Sequence, residues 1–195
     1  MPYFLLTTHQ KGGVGKSTLT YNLAINLKDQ AKVCIVDMDL QGSLSDFKDF
    51  SPVPIFAADK LSELQSSDFD FVFIDTPPYL SNQLSELCNI ANVIIIPTKA
   101  GVFDGLAIRS TIEIVKQSKG EKKSLIVFNM VKPNTSLTDE IKNQLDNYNI
   151  KVAETMVSDL VSFSRSALNN GVKDNPKALS QIEALTNEIL TILSI

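Results

Sequence analysis

Eight consecutive residues near the amino terminus, Lys11-Gly12-Gly13-Val14-Gly15-Lys16-Ser17-Thr18, constrain this chain more than any other stretch. They follow an apolar run, Tyr3-Phe4-Leu5-Leu6, and lead into an amphipathic one from Leu19 to Leu27. A strand, a glycine-rich turn and a helix start, in that order, make a concavity into which successive backbone N–H groups point. The positive end of the helix dipole stands behind them. Glycines at 12, 13 and 15 admit positive φ and let the backbone approach an oxygen with no Cβ between. In such a loop Lys16 reaches the β- and γ-phosphates and the Ser17 hydroxyl holds Mg²⁺. The usual spacing, G-x-x-x-x-G-K-S/T, puts glycine where this chain has Gln10, and the lysine at position 11 is additional. A merely flexible glycine loop does not need the flanking strand and helix; a phosphate cradle does.

The rest of the chain repeats the same alternation. Val33-Cys34-Ile35-Val36 ends at Asp37, Phe69 to Ile74 ends at Asp75, Val93 to Ile96 is stopped by Pro97, and Leu125 to Phe128 ends at Asn129. Val152 to Val157 reads as one further strand. Continuous rather than alternating hydrophobicity marks strands covered on both faces. Between them, Asp104 is expected to cap a helix from Gly105 to about Lys116, and Ser136 with Asp139 and Glu140 to start another running to about Asn147. Asn175-Pro176 opens a last helix, with Leu179, Ile182, Leu185, Ile189 and Leu190 at helical spacing. Ser51-Pro52-Val53-Pro54 reads as a loop. With no repeat and no linker, the expectation is a single domain over residues 1–195. Its fold class is α/β and P-loop NTPase-like: a mostly parallel sheet with helices on both faces, in three layers.

Composition removes several function classes. A chain of 195 residues with net charge −4 does not coat nucleic acid by bulk charge, so any DNA contact needs a local basic patch. Cys34 and Cys88 stand far apart with no C-x-x-C, which disfavours a disulfide, a metal site or a cluster-carrying role. No run approaches the roughly 18 apolar residues of a membrane span, and the amino terminus lacks a basic leader segment. The chain reads as cytoplasmic, associated with the nucleoid if it binds DNA.

In open α/β sheets the ligand lies at the carboxyl ends of the strands. Asp75 ends a hydrophobic strand, the position that sets a carboxylate beside Mg²⁺. Asp37 and Asp39 follow the second strand, and at extended spacing both are expected to face the nucleotide. One orients or deprotonates an attacking water while the other supports the metal. His9, the only histidine, reads as a loop packing or hydrogen-bonding residue rather than a catalytic one.

Lys11 to Thr18, then Asp37-Met38-Asp39-Leu40-Gln41-Gly42, then Phe73-Ile74-Asp75-Thr76-Pro77-Pro78 together resemble the ParA family of deviant Walker-motif ATPases, relatives of MinD. Ile95-Ile96-Pro97 and Phe103-Asp104-Gly105-Leu106 extend the resemblance, and the chain is similar to small members without an N-terminal DNA-binding domain. The resemblance implies ATP as substrate, ADP as product and Mg²⁺ as cofactor. It implies that Lys11 is the signature lysine that crosses to the partner subunit's nucleotide in an ATP-dependent homodimer. By the same match Gly12, Gly13, Val14, Gly15, Lys16, Ser17 and Thr18 cradle the phosphates, and Asn129 contacts adenine. Ser17, Asp37 and Asp75 form the metal set, and Asp39 is tied to hydrolysis alongside Lys11 and Lys16. It further implies nonspecific DNA binding by the dimer and a ParB-like, centromere-binding activator, so that plasmid or chromosomal DNA is segregated.

Departures qualify the DNA part. Leu40 replaces a common proline, and His9-Gln10 a frequent Asn-Gln. Arginines often found near the positions of Ser158 and Leu160 are missing; Arg109 and Arg165 are the only two in the chain. The densest basic stretch, Lys116, Lys119, Lys122 and Lys123, is either a DNA surface or a solvated helix end. The alternative reading is a DNA-independent, ATP-switched protein that positions a protein cargo or a membrane site. Membrane binding needs a basic amphipathic C-terminal helix, whereas residues 181–195 carry Glu183 and Glu188 and no Lys or Arg.

Overall fold

Apolar runs that end in Asp, Asn or Thr become strands here, because each can be covered on both faces while its polar last residue emerges at one edge. The computed structural model describes residues 1–39, 44–133 and 145–194. Its strands are β1 (Tyr3–Thr7), β2 (Val33–Asp37), β3 (Ile55–Ala57), β4 (Phe71–Asp75), β5 (Val93–Thr98), β6 (Ser124–Phe128) and β7 (Lys151–Val152). They form one sheet in the order β3-β2-β4-β1-β5-β6-β7, every neighbouring pair parallel. The helices are α1 (Lys16–Leu27), α2 (Leu61–Leu64), α3 (Ser81–Ile90), α4 (Val102–Gln117), α5 (Val161–Ser164) and α6 (Pro176–Leu193).

Alternate residues of the central strands supply two separate cores. Leu5, Ile35, Phe73, Ile95 and Val127 pack under α1 and α6 with Leu19, Leu23, Ile182 and Leu185. Leu6, Val36, Ile74, Ile96 and Phe128 pack under α3 and α4 with Leu84, Cys88, Ile108 and Ile112. This is the expected α/β architecture: a parallel sheet between two helical layers. Both cysteines are buried, and burial pushes the Cys34 thiol up to about 12 and that of Cys88 to about 11, so they are unreactive filler. The chain leaves β1 for β2 on one side and reaches β5 on the other. The loop after β1 therefore sits at the point where strand order reverses, the crevice in which such sheets bind ligands.

Several local expectations need correction. Pro97 does not stop its strand; β5 runs on to Thr98, with Pro97 opposite Val127. Pairing between β1 and β5 ends at Thr7 and Ile95, with one further bond from the Thr8 N–H to the Ile95 carbonyl. Pro97 shares the orientation of Ile95, so its missing N–H falls where β1 has already turned away. Asp104 is not a cap. α4 begins a turn earlier, at Val102 with Gly101 as its cap residue, and Asp104 lies in its first turn. The strand expected over residues 152–157 shrinks to Lys151–Val152, because Glu188 of α6 takes the N–H groups of Glu154 and Thr155 at 2.9 and 2.8 Å. β3 was not anticipated; three residues after a proline pair carry too little pattern. The last helix starts as expected, with Pro176 first and the Asn175 side chain accepting the Ala178 N–H at 3.1 Å. The helix expected from Ser136 falls mainly on residues 134–144, outside the described residues.

Candidate functional site

Gly15 caps α1 at φ +85, and Gly13 stands at φ +71, so the loop between β1 and α1 turns its N–H groups toward one hollow. At Gly15 a Cβ would lie 2.4 Å from the Asn129 amide nitrogen, which donates 2.9 Å to the Val14 carbonyl. Asn129, at the end of β6, thus clamps the loop from behind. One of its two amide N–H groups is committed to Val14, which leaves the other N–H and the carbonyl oxygen for the adenine contact that the resemblance implies.

The hollow is a cavity of about 380 Å³ walled by Gly12, Gly13, Gly15, Lys16, Ser17 and Thr18, with Asp39, Asp75 and Pro77-Pro78 opposite. Lys16 is only 7% exposed, and its ammonium reaches the Lys11 carbonyl at 3.3 Å. Burial pulls its pKa down, while the charges of Asp75 and Asp39 push it back up. The Ser17 hydroxyl donates to Asp75 at 2.6 Å, and the Thr20 hydroxyl to the other carboxylate oxygen at 3.3 Å. Burial raises Asp75 to about 7; the Ser17 bond opposes this and the nearby Asp37 charge adds to it. Ser17 and Asp75 are hard oxygen donors in contact, a set that suits Mg²⁺.

Asp37, which ends β2, and Asp39, which follows it, do not share an environment as expected. Asp39 lines the cavity, but Asp37 is 2% exposed and accepts the Asp39 N–H at 3.0 Å. The carboxylate of Asp37, level with Asp75 on the neighbouring strand, is held by the turn that presents Asp39.

Lys11 stands at the rim with its side chain 40% exposed, and its ammonium contacts Asp104 at 2.6 Å. A Cβ on Gly101 would lie 2.6 Å from that carboxylate, so glycine at the start of α4 makes room for it. The pairings around Lys11 were not legible in the sequence. The Gln10 N–H donates to the Thr111 hydroxyl at 3.0 Å, and the Lys11 N–H to His9 Nδ1 at 2.9 Å. His9 is 1% exposed; burial, then the charge of Lys16, pulls its pKa down to about 4. Asp104 was visible beside Phe103 and Gly105, but its pairing across 93 residues was not.

Two of the four lysines of the basic stretch are engaged. Lys123 donates to the Ala91 carbonyl at 2.6 Å, closing the end of α3, and Lys116 lies 5.2 Å from the Tyr148 ring centre. Arg109, Lys119 and Lys122 stay exposed. Ser158 faces inward: its N–H donates to Gln181 at 3.1 Å and its hydroxyl accepts from the same side chain at 2.9 Å. Among the described residues no helix is long and apolar enough to cross a membrane.

A glycine-rich loop at the switch point of a parallel sheet, with a lysine inside it and a strand-end carboxylate on its serine, defines a P-loop nucleotide-binding domain. A family model for the CobQ/CobB/MinD/ParA nucleotide binding domain matches residues 5–171, and the chain belongs to that family. It is a ParA/MinD-type ATPase. It is 25% identical, over 96% of each chain, to the maintenance of carboxysome distribution protein A of Halothiobacillus neapolitanus. A proposed plasmid partition protein of Borrelia burgdorferi bound to AMPPNP superposes with a TM-score of 0.75 at 20% identity, covering 99% of this chain and 98% of that one. Cobyrinic acid a,c-diamide synthase of Mycobacterium smegmatis, with ADP and magnesium bound, does so at 0.76 and 15% identity, covering 100% and 96%.

Proposed function

We propose that this protein is an ATP-switched positioning ATPase that forms a homodimer around ATP and Mg²⁺, distributes a cargo in the cell, and is reset by a partner that stimulates hydrolysis. The observation that carries this is the division of labour between two lysines: Lys16 is buried within the phosphate cradle, whereas Lys11 is presented at its rim. The loop N–H groups and Lys16 bind the phosphates of ATP. Ser17 and Asp75 would hold Mg²⁺, which offsets the charge that grows on the transferring phosphoryl oxygens. Asp39, on the opposite wall, orients the attacking water. Lys11 exchanges Asp104 for the γ-phosphate of a second copy, so dimer contacts gain strength only with ATP in place.

The similarity to a carboxysome distribution protein favours a protein cargo, and the engaged lysines and inward Ser158 fit that reading. Segregation of plasmid or chromosomal DNA with a ParB-like activator is the second reading. It is supported by the fold shared with the Borrelia protein and by the exposed Arg109, Lys119 and Lys122, which suit nonspecific phosphate contacts. Sizing and DNA retention in ADP, ATP and a slowly hydrolysed analogue, for wild type and Lys16→Ala, test both. A dimer with ATP that ignores DNA supports the cargo reading, one that retains DNA supports segregation, and no nucleotide response overturns both.

A further inference from the structure

Among the described residues the His9 ring makes one hydrogen bond, and it goes to the backbone of Lys11. Nδ1 accepts the Lys11 N–H at 2.9 Å, which requires an unprotonated Nδ1 and places the ring proton on Nε2. That Nε2 is buried and has no hydrogen-bond partner among the described residues. Its electrostatic surroundings keep it an acceptor: Lys16 and Lys11 oppose a positive ring and only Asp104 favours one, while burial penalises the charged form most.

The loop is held in two parts, joined by the Lys16 ammonium on the Lys11 carbonyl at 3.3 Å. Gly12 to Thr18 takes its shape from positive φ at Gly13 and Gly15, from the bond between Asn129 and Val14, and from α1. The preceding limb, Gln10-Lys11, is held from outside. Thr111 takes the Gln10 N–H, the Tyr79 N–H reaches the Gln10 carbonyl at 3.3 Å, and His9 takes the Lys11 N–H. Loss of the His9 bond therefore loosens the segment that aims Lys11, while positive φ at Gly13 and Gly15, the Asn129 bond and α1 still shape the phosphate cradle.

We propose that His9 is the positioning residue for Lys11, its neutral ring fixing the backbone from which that lysine reaches the nucleotide of a second copy. This rests on the trans role of Lys11 stated above. The bond spans two residues, as in a turn closed by an asparagine side chain, so Asn at position 9 can supply the same acceptor from its Oδ1. Leucine fills similar space and accepts nothing.

The test compares wild type, His9→Leu, His9→Asn and Lys11→Ala. Nucleotide Kd is read with a fluorescent ATP analogue, turnover is measured with excess ATP, and amide hydrogen exchange is followed at Lys11. His9→Leu should lower kcat about tenfold to a hundredfold, approaching Lys11→Ala, with nucleotide Kd within about threefold of wild type. Its Lys11 amide should exchange about tenfold faster. His9→Asn should stay close to wild type in all three. Unchanged Lys11 exchange in His9→Leu overturns the proposal. So does a nucleotide Kd that rises in step with the loss of turnover, since His9 would then support the whole loop. If Lys11→Ala hydrolyses ATP at the wild-type rate, the trans-lysine reading falls, while Lys11 exchange still decides whether His9 holds that limb.

Discussion

Lys16 and Lys11 lie five residues apart on one loop, yet they occupy opposite electrostatic situations. Lys16 is enclosed, with Asp75 and Asp39 favouring its charge against burial. Lys11 is on the rim, and a single carboxylate from α4, 93 residues away in sequence, holds its ammonium. An enclosed cation serves a ligand of its own chain, because anything that reaches it must enter the cavity. A cation on the rim, restrained by an exchangeable partner, is available to another molecule. The same side chain thus has two uses, decided by the depth at which the loop holds it.

The largest effect should come from removing the enclosed member. Lys16→Ala should weaken nucleotide binding by about a hundredfold or more, since the phosphates lose their buried counter-charge; calorimetric titration with ATP and Mg²⁺ checks this. Lys11→Ala should leave that affinity within about threefold while lowering turnover about a hundredfold and abolishing the ATP-dependent dimer, in the manner of a lost trans-acting finger. Equal damage to binding by both substitutions would erase the distinction. Asp104→Asn should sharpen it from the other side, because Lys11 is released from its partner. The dimer should then form at ATP concentrations lower by less than about fivefold, the modest scale of a partly exposed ion pair.

Titration separates the two halves of the loop without a large loss of function. Asp75 beneath Lys16 has its pKa raised from 3.8 to about 7, so its stabilising contribution is complete below about pH 4 and is lost as pH rises through 7. His9 beneath Lys11 is lowered from 6.5 to about 4, so its contribution is complete above about pH 6.5 and is lost as pH falls through 4. Without nucleotide, Asp75→Asn should remove a fall in Tm between about pH 4 and 7, and His9→Asn a fall on the acid side of 6.5; scanning calorimetry across pH reads both. The smallest effect is expected far from either lysine. Gln181→Ala frees the Ser158 N–H, at a cost of about 1 kcal/mol, or a Tm lower by about 2–4 °C.

The phosphate cradle was legible because its chemistry is local. Three glycines, a lysine and a serine in fixed order build it wherever a strand and a helix flank them, and Asp75 is marked by the apolar run it ends. The surroundings of Lys11 were not legible. Asp104 read as a helix cap because a carboxylate near a helix start is common; His9 read as a loop packing or hydrogen-bonding residue, which its bond from the Lys11 N–H bears out, but nothing in the pattern named that partner. Pro97 read as a stop because proline lacks a donor; it is harmless where the neighbouring strand has already ended. The four-lysine stretch read as a candidate surface until Ala91 and Tyr148 were found to occupy two of its members.

By itself the sequence determined the parallel α/β architecture, the phosphate loop and the strand that carries Asp75, because hydrophobic periodicity and glycine conformation act over a few residues. Only the tertiary structure decided which lysine is buried and which is presented, which aspartate at the end of β2 faces the cavity, and what restrains Lys11. Those outcomes depend on groups brought together from β1, β4, β6 and α4, and on how far each is removed from water, which no local pattern encodes.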